Sequence, residues 1–332
     1  MYENWRVDRI PAADGRAWKI EERTGNASKV PIQLEEGNWF SAILEALSGS
    51  GKGTIMVDVR PILGDSVYRD LNVDLTLDYM RRRYVDPLRS FVNIEQATLA
   101  DCGCGFGWLS FAYLWAGGRR AILVDQDAKR VEAAARIAEL LGYADRCEFH
   151  CRHMQNLDIG PVDVFASIET LEHVGRENIP NCVQAMASSS LKAIILTTPN
   201  RWFPLVAHDT GLPLAHWMPL WLRTRYARAA GRGDREMTNA FLSPRDLRPM
   251  KERGFQPISR YQTFPTYSEF ESFYPHYLPY GEDEQSRYRS KPKTGLAAYV
   301  RIAGTLAGRS SFAFAPNLAS IWVRGSGNPT GD

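Results

Sequence analysis

One stretch, Leu99-Ala100-Asp101-Cys102-Gly103-Cys104-Gly105-Phe106-Gly107-Trp108-Leu109, constrains this chain more than any other. An apolar strand runs straight into three alternate glycines and then into a helix. Glycine is needed in such a turn because the backbone bends tightly and must come within contact distance of a ligand, where a Cβ would intrude. The next apolar run, Ile122-Leu123-Val124-Asp125, ends in a carboxylate twenty-two residues after Gly103. A carboxylate at that strand end can accept hydrogen bonds from both hydroxyls of a ribose, and Gln126 beside it can line the adenine. Together the two signals specify a ligand containing adenosine.

Around this stretch, residues 97–200 alternate short apolar strands with helical periodicity, the pattern of βαβ units and an α/β fold. Strands are expected at 98–102, 121–125, 147–151, 162–168 and 193–197. Asp127 should cap the helix after the second strand, Val131, Ala134, Ala138 and Leu141 should form its buried stripe, and Gly142 should end it. Right-handed crossovers then place helices on both faces of a mainly parallel sheet. Further on, Ser243-Pro244-Arg245-Asp246 reads as a helix start with Ser243 as N-cap and Gly254 as the stop, followed by strands near 256–261 and 319–323. Residues 201–240, rich in Pro, Trp and Arg, read as a cap inserted over the strand ends. Residues 1–95 read as an N-terminal extension with a strand candidate at 54–59 and a lid helix at 75–91. In that helix Leu77, Met80, Tyr84, Leu88 and Phe91 share one face, and Arg81, Arg82 and Arg83 point elsewhere. The domain proper is thus 96–325, with a flexible tail at 326–332.

Composition narrows the function classes. With 332 residues, 44% of them apolar and 23% charged, the chain can bury a substantial core. Lys plus Arg is 40 against 38 acidic residues, a net charge of +2, so no global field attracts nucleic acid. The five cysteines are an odd number crowded into one quarter of the sequence, which suits reduced thiols in a cytoplasmic enzyme better than disulfides. Neither Cys102-x-Cys104 nor Cys147-x3-Cys151 has zinc-knuckle spacing. The first nine residues lack the apolar core of a secretion signal, and no apolar run reaches the length of a transmembrane segment. Ser48-Gly49-Ser50-Gly51-Lys52-Gly53-Thr54 suggests a phosphate loop, but Ala46 and Gly53 break the pattern and it precedes a strand.

The glycine spacing separates the candidate cofactors. Dinucleotide enzymes usually show G-x-G-x-x-G, with a pyrophosphate at the helix N-terminus. The run here, preceded by Asp101, resembles motif I of the class I S-adenosylmethionine-dependent methyltransferases, D-x-G-x-G-x-G. An acid there would repel a pyrophosphate but can hold the ammonium of a methionine tail. The resemblance extends to Val162-Asp163-Val164-Phe165-Ala166-Ser167-Ile168-Glu169-Thr170-Leu171-Glu172-His173-Val174, similar to the D-x-(apolar)3-x-E-x-L-E-H-(V/I) motif of the ubiquinone-biosynthesis-like group. It continues in Thr198-Pro199-Asn200 and in Phe241-Leu242-Ser243-Pro244-Arg245-Asp246-Leu247 with Gly254-Phe255. The four motifs cover residues 97–262.

That resemblance implies a Rossmann-like class I methyltransferase fold with a seven-stranded sheet, and S-adenosylmethionine as cofactor. It places Asp101, Gly103, Cys104, Gly105 and Gly107 along the methionine side, Asp125 at the ribose, Gln126 and His153 or Met154 at the adenine, and Ile168 among the remaining contacts. The third-strand loop departs from the group, which often has an Asp where this chain has His153-Met154.

Methyl transfer from a sulfonium is an in-line displacement, so the protein must orient the acceptor and, for a hydroxyl, supply a base. The candidate bases are Glu169, Glu172, His173, His208 and His216, with His208, Glu169 and His173 as the expected catalytic set. Two readings of Glu169-x-x-Glu172-His173 stay open. It braces the next helix, or it binds a divalent cation, since it resembles the Mg-binding set of ubiquinone-biosynthesis and small-RNA 2'-O-methyltransferases. His208 is either a base or further cation ligand over the methyl group, or a histidine bonded to the cap's own backbone. Trp202, Phe203, Trp217 and Trp221 form an acceptor wall or the cap's small core. Arg223, Arg225, Arg228, Arg232 and Arg235 hold an anionic acceptor, touch lipid head groups or face solvent. The expected function is O-methylation of a small-molecule, sugar or glycolipid-like acceptor. The rivals are an NAD(P)-dependent oxidoreductase or epimerase, and a non-catalytic protein that binds the same cofactor.

Overall fold

The computed structural model describes residues 5–10, 17–22, 57–64, 71–206, 210–233, 237–257, 294–308, 311–318 and 320–325. It divides into two compact units, residues 1–56 and 57–332. Within the first, β1 (Trp5–Ile10) and β2 (Ala17–Glu22) pair antiparallel, from Trp5 opposite Glu22 to Ile10 opposite Ala17. Of the strand expected at 54–59, only Val57–Val59 lie within the described residues, and they carry no strand.

The second unit is built on seven strands: β3 (Thr98–Cys102), β4 (Arg120–Asp125), β5 (Cys147–Cys151), β6 (Val162–Ile168), β7 (Ser190–Thr197), β8 (Phe255–Pro257) and β9 (Ser320–Arg324). Their spatial order is β5-β4-β3-β6-β7-β9-β8. β3 to β7 run parallel, and β9 lies antiparallel between β7 and β8. This is the class I arrangement implied by the sequence. The central strands are buried through Leu99, Ala100, Leu123, Val164, Phe165, Ile194 and Leu196, as expected when helices cover both faces of a parallel sheet. Strand order reverses between β3 and β6, so the crevice where ligands of open α/β sheets bind opens beyond the carboxyl ends of these two strands.

The lid departs from its expected form. Asn72 caps helix α1 (Val73–Met80), its side chain accepting from the Leu75 N–H at 3.0 Å. The helix then widens into a π-helical turn at Arg81–Val85 before a last α turn at Asp86–Arg89. Leu77, Tyr84 and Leu88 are buried as expected, but Phe91 lies past the helix end and is exposed. Arg83 is turned inward and is 2% exposed. A π turn adds a residue to the local repeat and rotates the succeeding residues about the axis, so a side chain that α periodicity assigns to solvent reaches the interior.

Helix α2 (Trp108–Trp115) starts at Gly107, and α3 (Ala128–Leu140) is capped as expected, Asp127 accepting from the Lys129 N–H at 2.9 Å. Its buried stripe includes Ala134, Ala138 and Leu141, with Ile137 deeper than Val131. Helix α4 (Ile179–Ser189) packs its Cys182, Val183 and Met186 into the core. In the cap, α5 (Leu220–Ala229) comes after a short turn at Ala215–Trp217.

Helix α6 (Arg248–Glu252) begins four residues later than expected. Ser243 does not cap it. Instead the Asp246 carboxylate accepts from the Ser243 backbone N–H at 2.7 Å and from its hydroxyl at 2.8 Å, closing a separate turn. Pro249 opens the helix in place of Pro244. The Thr198-Pro199-Asn200 segment is a clasp: Asn200 donates to the carbonyls of Ala313 and Ala315, both at 2.8 Å, and Leu318 N–H donates to Thr198.

Candidate functional site

The glycine turn is held by its neighbour strand, Gly103 and Cys104 N–H both donating to the Val124 carbonyl at 2.8 and 3.0 Å. Gly103, Gly105 and Gly107 have φ of 78°, 55° and 84°, a region that L side chains enter at a cost. Each glycine has its own further reason. A Cβ on Gly103 would collide with the Thr170 side chain, and one on Gly107 would come within 2.8 Å of Leu123 and the Phe111 ring. A Cβ on Gly105 would meet nothing within 4 Å, so the backbone there borders open space. Gly103 and Gly107 serve packing, and Gly105 is the residue whose bare backbone a ligand can approach.

Asp125 is 6% exposed at the end of β4 and is joined to the turn directly. Its Oδ2 accepts from Gly105 N–H at 2.9 Å, its Oδ1 accepts from Asp127 N–H at 3.0 Å, and its carbonyl accepts from Arg152 N–H at 2.9 Å. Each carboxylate oxygen retains capacity for a second bond, which suits ribose hydroxyls. Open space beside Gly105 and a carboxylate with spare lone pairs next to it fit an adenosyl amino acid.

Asp101 lies beneath the turn, 2% exposed, its Oδ2 accepting from the Ser110 hydroxyl at 2.9 Å. Burial lifts its pKa to about 7, against the lowering effect of that hydrogen bond and with help from the nearby Asp125 charge. A carboxyl whose pKa is raised on folding favours the folded state below its unfolded value near 3.8, and that contribution is lost as pH rises through about 7. We therefore expect the cofactor-free protein to lose about 2–4 kcal/mol between pH 5 and pH 8 from this group, and Asp101→Asn to flatten the slope. Thermal melts of both proteins across that range check it, and parallel slopes would refute it.

Of the other expected cofactor contacts, Gln126 and His153 are exposed, Ile168 and Cys104 are half-buried, and Met154 is buried in the core with Ile122 and Val124. Burial pushes the Cys104 thiol well above its usual pKa, aided by the Asp101 and Asp125 charges.

Across the crevice, β6 delivers Glu169 with φ of 49°. A non-glycine residue in that region is strained by about 1–3 kcal/mol and marks a place where the surroundings over-determine the backbone. Its N–H donates to the Thr197 carbonyl at 2.7 Å, and its Oε1 accepts from Asn317 Nδ2 at 2.7 Å. Glu172 is fully buried, its Oε2 accepting from the Thr198 hydroxyl at 2.9 Å. Burial, together with the charge of Glu169, raises its pKa well above the ordinary carboxylate value. His173, by contrast, is exposed. Among the described residues no group of three His, Cys, Asp or Glu could hold a metal ion, so Glu169, Glu172 and His173 do not converge as a cation set. His208 and Asp209 lie outside the described residues.

The lid adds side chains to which α-helical periodicity assigns no role at the site. Arg83 donates to the Tyr79 hydroxyl, and its guanidinium lies over the rings of Tyr79 and Tyr84 at 5.6 and 5.2 Å. Thr197 donates its hydroxyl to Tyr84 at 3.3 Å. Burial raises the pKa of both tyrosines, and the Glu169 charge contributes in the same direction. The sequence signal that could have found this group is the close set Tyr79, Arg83, Tyr84 at four- and one-residue steps.

The cap aromatics do not form one wall. Phe203 is buried against Tyr299, Trp202 stacks on Phe314 at 5.3 Å, and Trp217 and Trp221 are exposed. His216 faces the Arg201 carbonyl at 3.1 Å. The arginines separate too, Arg223 being buried and Arg232 donating to the carbonyls of Thr210 and Gly211.

Part of the chain is similar to known proteins. A family described as methyltransferase domain matches residues 99–191. The ribosomal protein L11 methyltransferase of Pectobacterium atrosepticum is 34% identical over 138 residues, 42% of this chain and 43% of that protein. The Cyanothece protein of the same name is 46% identical over 52 residues, 16% and 18% of the two chains. The chain thus spans less than half the length of these curated relatives. Among solved structures, magnesium protoporphyrin IX methyltransferase from Synechocystis with bound S-adenosylhomocysteine is 21% identical, covering 60% of this chain and 83% of that one with a TM-score of 0.43.

Proposed function

We propose that this chain is a class I S-adenosylmethionine-dependent methyltransferase, residues 99–191 of which match a methyltransferase-domain family, and that it transfers a methyl group from that cofactor to an oxygen of a small-molecule, sugar or glycolipid-like acceptor. What supports the reading is that the turn is bonded to Asp125 through the Gly105 N–H and touches Thr170 at Gly103, so the glycine turn, Asp125 and the loop after β6 are neighbours.

Bound there, the cofactor would supply an electrophilic methyl group on a sulfonium whose leaving group is a neutral thioether. Asp125 would hold the ribose and the backbone at Gly105 the amino-acid moiety, with Asp101, buried beneath the turn, supplying negative charge toward its ammonium. Glu169, held by Asn317, takes the acceptor's proton. In this reading the described residues of the cap, 201–206, 210–233 and 237–240, cover the site and exclude water, which would otherwise compete as acceptor.

The test has two stages. S-adenosylhomocysteine at about a hundred times its dissociation constant should stabilise the protein by about 2.7 kcal/mol, read as a rise in melting temperature. NAD should give no shift, and the reverse pattern would overturn the cofactor. Incubation with labelled S-adenosylmethionine and a cell extract should then yield a methylated product in the small-molecule fraction. Glu169→Gln should lose about a hundredfold or more in rate while keeping the S-adenosylhomocysteine shift. Label confined to the protein fraction would overturn the acceptor class.

A further inference from the structure

The cap has an outer surface that the proposed chemistry does not use. Ten large apolar residues are exposed among the described residues, and five of them, Leu214, Trp217, Leu220, Trp221 and Leu222, fall within nine positions. Scattered exposed apolar residues are ordinary, but a cluster of this size marks a contact surface. Leu220 and Trp221 are 64% and 65% exposed at the first turn of α5. The Trp217 indole N–H donates to the Arg201 carbonyl, so this ring is pinned in place while half its surface meets solvent.

Within the cluster's own segment the charge has one sign, with Asp209, Asp234 and Glu236 just outside it in the sequence. Residues 211–233 contain four arginines and no acid. Arg223 is buried and Arg232 is engaged by the cap's backbone, but Arg225 and Arg228 are exposed and form no ion pair among the described residues. They come four and seven positions after Trp221, so all three lie on one face of α5. Aromatic and aliphatic tips next to arginines, on a helix with its other face docked through Arg223 and Ala227, match the chemistry of a membrane interface, where apolar groups enter the acyl boundary and cations meet lipid phosphates. Among the described residues no helix is long and apolar enough to cross a membrane.

We propose that the cap, through Leu214, Trp217, Leu220, Trp221 and Leu222 with Arg225 and Arg228, docks this protein on the surface of an anionic phospholipid bilayer. This stands independently of the methyl acceptor.

The full chain should co-sediment with phosphatidylcholine vesicles containing about a third phosphatidylglycerol, and bind pure phosphatidylcholine vesicles at least tenfold more weakly. Arg225→Gln with Arg228→Gln should weaken anionic-vesicle binding about thirtyfold, two arginines at about one kcal/mol each. Leu220→Ser with Trp221→Ser should weaken it at least tenfold, with unchanged melting temperature as the control for folding. Should that pair lower the melting temperature, Trp221→Gln alone, read by vesicle binding and loss of the tryptophan blue shift, takes its place. Equal binding of wild type and both double variants, or no binding to anionic vesicles, would overturn the proposal. Concentration-dependent dimerisation abolished by the same variants, without vesicle binding, would assign the surface to a second copy of the chain instead.

Discussion

Asp125→Ala should weaken S-adenosylmethionine binding by more than about tenfold, measured by calorimetry with S-adenosylhomocysteine as the titrant. The loss has two sources. The ribose hydroxyls lose a charged acceptor, and the Gly105 N–H, bonded to Asp125 at 2.9 Å in the free protein, loses the anchor that holds the turn. Asp125→Asn separates them. An amide keeps the shape and one acceptor atom but carries no charge, so its affinity should fall between wild type and Ala. Unchanged affinity in the Ala variant would sink the site as drawn.

Gly103→Ala should destabilise the fold by about 2–4 kcal/mol and abolish detectable cofactor binding. The new Cβ occupies space filled by the Thr170 side chain, and φ of 78° adds strain of about 1–2 kcal/mol. A second substitution apportions the two costs. Thr170→Gly removes the obstacle, so the double variant should recover the cost of the clash and retain only the strain, appearing in a double-mutant cycle as a coupling of about 1–2 kcal/mol. Additive losses would mean that β3 and β6 do not bring these loops into contact. Denaturant melts measure both.

The parallel strands were legible to within a few residues because each is a short apolar run bounded by turn residues, as burial on both faces requires. The glycine turn and Asp125 of the candidate site stood out in the sequence for a related reason. A backbone that must approach a ligand tolerates only glycine, and Asp125 ends a strand whose partners are otherwise apolar. The lid was harder. Its spacing is helical throughout, and nothing in Arg81-Arg82-Arg83 announces a π turn that carries Arg83 inward against Tyr79 and Tyr84. Ser243-Pro244 misled because a short turn closed by Asp246 has the same composition as a helix start. The β1–β2 hairpin was missed although Asp14-Gly15 between Trp5–Ile10 and Ala17–Glu22 is a turn signal, since its flanking alternation is short and interrupted by charge. Asn317 was out of reach altogether. It meets Glu169 only because β9 inserts beside β7, and no local pattern encodes a partner 148 positions away.

That insertion has a consequence for how the molecule comes to life on the ribosome. Five parallel strands, with the glycine turn and Asp125 among them, are complete once residue 197 has emerged, so a growing chain can assemble the cofactor's cradle early. The side chain that aims Glu169 is made more than a hundred residues later. On the roles proposed above, a half-built polypeptide can hold the methyl donor while lacking the arrangement that spends it, and competence arrives only when β9 slots into the sheet.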